Sequence, residues 1–100
     1  MLLEVFNPTG TTVNIAVTAA SQNLTLPVQN KGGQNNYRLV NAGSQTVFFK
    51  KGADGASLTT SIPVLAGSVE CFEMEPGVTT IAVIAAAVGS TLYVTAGKGA

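Results

Sequence analysis

The stretch that decides the fold runs from Val64 to Ala100 and reads VLAGSVECFEMEPGVTTIAVIAAAVGSTLYVTAGKGA. Short runs of β-branched and aromatic residues are cut by Ala66-Gly67, Pro76-Gly77, Gly89-Ser90 and Ala96-Gly97. Proline presets φ and glycine accepts positive φ, so such dipeptides punctuate strands. The pattern predicts strand, tight turn, strand, repeated. Nothing in it has the makings of a reaction centre.

The same grammar extends toward the N-terminus. Leu2 to Phe6 reads as a first short strand, and Asn7-Pro8-Thr9-Gly10 as a turn. Thr11 to Thr18 alternates, with Val13, Ile15 and Val17 on one face, the period of a half-buried strand. Asn23 to Val28 alternates again, and Pro27, which cannot donate to a ladder, places that strand at a sheet edge. Gln29 to Asn36 is a polar loop. Tyr37 to Val40 and Gln45 to Lys50 read as strands joined by Asn41-Ala42-Gly43-Ser44. Lys51 to Ala56 is a second loop, and Leu58 to Ile62 a weaker strand ended by Pro63.

In the tail half, Gly67 to Glu75 sets Val69, Cys71 and Glu73 on one face and Glu70, Phe72 and Met74 on the other. Neither face is cleanly apolar, so the pattern leaves its orientation open. Val78 to Ile84 and Thr91 to Thr95 complete the series, with Ala85 to Ser90 as a connection holding at most one helical turn. No segment carries a helical apolar stripe. About eight or nine strands at roughly ten-residue spacing predict an all-β, single-domain antiparallel β-sandwich, jelly-roll-like, with an immunoglobulin-like sandwich as the alternative.

Composition narrows the function. The chain has 100 residues, 46% of them hydrophobic and only 10% charged, with zero net charge. An ordinary domain carries about 25% charged residues, so Thr, Ser, Asn, Gln and Gly must coat this one. A neutral coat suits protein contacts and does not suit nucleic acid, which demands a basic face. Lys31, Arg38, Lys50 and Lys51 precede Glu70, Glu73 and Glu75 in the chain. The two groups form either ordinary solvated faces or complementary patches that orient partners. The N-terminus lacks a basic n-region, which argues against a signal peptide. No apolar run reaches the ~18–20 residues of a membrane helix, so no membrane partner is expected.

Chemical equipment is sparse. The chain contains no His, which removes Ser-His-Asp and Cys-His arrangements and His-based metal sites. The single Cys71 reads as a small hydrophobe and forms no internal disulfide. Glu70, Glu73 and Glu75 are the one carboxylate cluster, but a glycosidase needs a cleft holding its pair ~5–10 Å apart. With no Trp to stack sugars, such a cleft is not expected. One Asp, Asp54, is too little for a calcium loop. Neither Lys31-Gly32-Gly33 nor Gly97-Lys98-Gly99 has phosphate-loop spacing. No enzyme activity, cofactor or metal is expected.

Two segments carry a resemblance: YRLVNAGSQTVFFKKG from Tyr37, and VLAGSVECFEMEPGVTTIAVIAAAVGSTLYVTAGKG from Val64. Their order of Ala-Gly-Ser turn, strand, Pro-Gly turn, Ile-Ala-Val-Ile run and Gly-Ser-Thr-Leu-Tyr-Val-Thr resembles small virion proteins of tailed bacteriophages. Within these, the capsid decoration, or cement, proteins fit best. The resemblance implies a β-sandwich on the capsid exterior that bridges major capsid protein subunits, in virions assembled in the host cytoplasm. It brings no catalytic residues. A homo-oligomer is expected, a twofold dimer being the simplest closed form. Leu2, Leu3, Lys50, Lys51 and Tyr93, as terminal or loop-adjacent groups, are the candidate contact residues. Leu2 to Phe6 and Thr91 to Thr95 either complete their own sheets or pair with a neighbour's edge. Rival readings are a tail- or fibre-associated domain and a small carbohydrate-binding module.

Overall fold

A computed structural model describes residues 6–27, 36–75 and 77–98. Eight strands follow one another: β1 (Asn7–Val17), β2 (Gln22–Thr25), β3 (Asn36–Gly43), β4 (Val47–Lys51), β5 (Ile62–Val64), β6 (Val69–Glu73), β7 (Thr80–Ala85) and β8 (Ser90–Lys98). They form two four-stranded antiparallel sheets, β1-β8-β3-β6 and β2-β7-β4-β5. β1 pairs with β8, β2 with β7, β3 with β6 and β4 with β5. That is the pairing of one long hairpin. Rolling it up adds β3 to β8 and β4 to β7 and gives a jelly roll.

The alternation read from the sequence decides which side chains fill the space between the sheets. From the first sheet, Val17, Tyr37, Leu39, Leu92 and Val94 are buried; from the second, Leu24, Val47, Phe49, Ile81 and Val83. Phe72 closes one flank by packing edge-on against Phe49, ring centroids 4.9 Å apart at 68°. Such a pair adds about 0.5–1.5 kcal/mol beyond the area it buries.

Among the described residues, two polar side chains are buried, Asn41 and Ser90. Asn41 is fully buried, and its Nδ2 donates to Gln45 O (2.7 Å) and Val64 O (2.8 Å). Its backbone N donates to Ser68 O and its carbonyl accepts from Gly67 N, each at 3.0 Å. One residue thereby ties together the β3–β4 turn, β5 and the β5–β6 turn. Ser90 locks the same turn: its Oγ donates to Gln45 O (2.7 Å) and accepts from Gln45 N (2.9 Å). Gly43 permits this approach, because a Cβ there would stand 2.3 Å from Gly89 O.

The structure corrects several local expectations. Asn7-Pro8-Thr9-Gly10 does not turn the chain; it begins β1, where the register slips between Pro8 and Thr12. Edge position makes this possible, since Pro8 needs no donor on the open side. The strand placed at Leu58–Ile62 lies instead at Ile62–Val64, with Pro63 inside it, for the same edge reason. Pro27 follows β2 and is buried, although β2 is an edge strand as expected. Thr91–Thr95 belongs to β8, which is paired on both sides, so it closes its own sheet and has no free edge to offer. Of the expected Leu2–Phe6 strand, all but Phe6 lies outside the described residues, as do Val28 and positions 29–35 of the expected polar loop; Asn36, expected in that loop, opens β3.

Candidate partner-binding surface

The two outer faces of the sandwich differ. Residues 52–61 run back across the outer face of β2-β7-β4-β5. Gly52 N donates to Thr80 O (2.8 Å), and Ala56 N reaches Ser21 Oγ (2.8 Å), beside the β2 edge. Ala82 faces outward between Asn23 and Lys50 yet is fully buried. The chain thus covers the middle of this face at Ala82, while Asn23, Thr25 and Lys50 around it stay exposed.

Among the described residues, no segment covers the outer face of β1-β8-β3-β6. Register sets its side chains in rows across the strands: Ala16, Thr91, Ala42; then Asn14, Tyr93, Val40, Val69; then Thr12, Thr95, Arg38, Cys71. Tyr93 is 39% exposed and Val69 46%. Thr12 and Thr95 share a hydroxyl hydrogen bond of 2.7 Å across β1 and β8. Arg38 is the one charge in these rows, and Glu73, opposite Asn36, adds a second at the end of the face. β-branched residues and threonines stand stiffly from a paired sheet, so the surface loses little side-chain entropy when a partner covers it.

The candidate contact residues do not converge. Tyr93 sits at the centre of the open face, while Lys50 lies on the opposite, loop-covered face. Lys51 stands at the rim, where its Nζ donates to Glu75 Oε1 at 3.0 Å. Leu2 and Leu3 lie outside the described residues. Of the neighbours of Tyr93, Arg38 was read only as part of a basic group, and Val40, Val69 and Thr95 were not named as contact residues. Their alternation was visible there, but their assembly by three strands distant in sequence was not.

The charged rim is an ordinary solvated one. Lys51, Glu73, Met74 and Glu75 line an open cleft of about 350 Å³. The hydrogen bond from Lys51 holds the Glu75 carboxyl below its ordinary value of 4.5. This keeps Glu75 ionised at neutral pH, the opposite of what a general acid requires. Among the described residues, no three His, Cys, Asp or Glu side chains gather as a metal site would need. No helix among them is long and apolar enough to cross a membrane.

No protein-family model matches this chain, and no curated protein matches it. Among solved structures, it is similar to a Bacillus chain from work described as "Bacillus endospore appendages form a novel family of disulfide-linked pili". That likeness covers 94% of this chain and 89% of the other, at 14% identity and a TM-score of 0.46.

Proposed function

We propose that this chain is a structural virion protein that binds the outside of a tailed-bacteriophage head and stabilises it by bridging major capsid protein subunits. The observation that carries the reading is the sparsely charged face around Tyr93, which no described segment covers and which is centred on β8 and β3, the strands paired on both sides. Its rows present Thr, Asn, Ala, Val and Tyr, a mixture able to bury itself against protein without desolvating many charges. Strand spacing and rise give such a face roughly 500 Å². A standard interface takes about 800 Å² from each partner, so a single contact of this size is weak. On a symmetric shell, many weak contacts act together, and effective concentration turns them into firm attachment. The same face is polar enough to keep free copies from clumping before they meet the shell.

The test is to mix the purified protein with expanded, undecorated capsids of the phage whose genome carries its gene. Co-sedimentation and a higher shell disruption temperature are expected. Failure of both ends the reading.

A further inference from the structure

β6 poses a puzzle that the other edge strands do not. Its residues at core-facing positions are Glu70 and Phe72, because they pair with the buried Leu39 and Tyr37. Its outward residues are Val69, Cys71 and Glu73. A carboxylate, still exposed at the sandwich's flank, therefore shares the face of the buried Leu39 while a valine, 46% exposed, points the other way. Ordinary patterning of a half-buried strand would place them the other way round.

Comparison of the four edges supplies the reason. An open edge presents unpaired N–H and C=O groups to any passing strand, and proteins block such edges with prolines, irregular register, short length or charges pointing inward. β1 carries Pro8 and a slipped register. β2 has four residues and is followed by Pro27. β5 has three residues with Pro63 in the middle. β6 has five residues in unbroken register with β3 and no proline. The backbone N of Asn41 donates to Ser68 O. By the two-residue alternation of an antiparallel ladder, Leu39 and Tyr37 also direct their polar groups to β6, at Glu70 and Phe72. The N–H and C=O groups of Val69, Cys71 and Glu73 are left pointing to the side on which no described strand pairs.

We infer that Glu70 is an edge guard that keeps β6 from pairing with β6 of a second copy. An antiparallel pair centred on Cys71 sets Glu70 directly opposite Phe72 of the second copy, between the sheet layers. The neighbours that β3 sets on that face are Leu39 and Tyr37, and among the described residues no cation pairs with the Glu70 carboxylate. Enclosing that charge without a partner opposes the pairing. The inference is independent of capsid binding. It says which edge-to-edge assembly the fold excludes.

The test compares wild type, Glu70→Thr and Glu73→Thr under reducing conditions by light scattering after gel filtration, over a series of concentrations. Glu70→Thr is expected to give an assembly about twice the wild-type mass, rising with concentration. Glu73→Thr removes the same charge from an outward position and is expected to match wild type. Amide exchange read by NMR locates the contact: the Val69, Cys71 and Glu73 amides exchange fast in wild type and slowly in the Glu70→Thr assembly. Unchanged mass for Glu70→Thr, equal association of Glu73→Thr, or protected Val69, Cys71 and Glu73 amides in the wild type would each overturn the inference.

Discussion

Asn41→Ala puts the internal organisation of the sandwich to its hardest test. The substitution removes both Nδ2 hydrogen bonds. Gln45 O keeps its second donor, the Ser90 hydroxyl at 2.7 Å, so that carbonyl loses about 1 kcal/mol. Val64 O loses its side-chain donor in a buried setting, at about 1–3 kcal/mol. The truncated side chain leaves a small void worth about 1 kcal/mol. Against these stands Asn41 Oδ1, which is buried without a partner, so its removal returns roughly 1 kcal/mol. The net cost is about 2–4 kcal/mol, out of a total of ~5–15 kcal/mol for a domain. Urea denaturation is expected to show a lower midpoint with an unchanged slope. A cycle with Ser90→Ala sharpens the test, because both side chains donate to the same carbonyl. Either single variant leaves Gln45 O one side-chain donor and the double leaves none, so the double is expected to cost about 1–2 kcal/mol more than the sum. A single variant within about 0.5 kcal/mol of wild type, or strict additivity, would refute the reasoning.

Other perturbations follow from the same geometry. Gly43→Ala places a Cβ 2.3 Å from Gly89 O, backbone that cannot step aside, and is expected to cost about 2–4 kcal/mol by chemical denaturation. Gly67→Ala meets open space, and its cost is confined to the positive φ of 75°, about 1–2 kcal/mol. Phe72→Ala removes the edge-on partner of Phe49 and is expected to cost about 2–4 kcal/mol, read as a fall in melting temperature. The Glu75 carboxyl is depressed in the folded state, so its contribution to stability is present above the ordinary value of 4.5 and is lost as pH falls through the lowered value. Glu75→Gln is expected to flatten that acid limb of the stability profile while leaving neutral stability nearly unchanged, as for any exposed ion pair.

Strand existence was legible because alternation is local. Val13, Ile15 and Val17 declare one face of β1, and Leu24 and Leu26 turn inward in and just after β2. Asn41 was read as opening a turn, because Asn-Ala-Gly-Ser is turn chemistry; β3 instead runs on to Gly43, and neither the inward direction of Asn41 nor its acceptors on distant turns was read. The orientation of β6 was open in the sequence because an inward Glu70 offsets Phe72. The Asn7–Gly10 and Leu58–Ile62 expectations failed where proline sits at an edge, since local turn chemistry does not register that an open edge excuses the missing N–H. Tyr93 was visible as an aromatic beside the chain end. The face around it was not, because Asn14, Val40 and Val69 join it only through pairings between remote strands.

Electron microscopy of expanded capsids incubated with the protein tests the central claim most directly. The account predicts ordered density outside the shell, with the face that carries Tyr93, Val40 and Val69 turned toward the major capsid protein. Shells without added density, or density that contacts the shell through the side covered by residues 52–61, would contradict it.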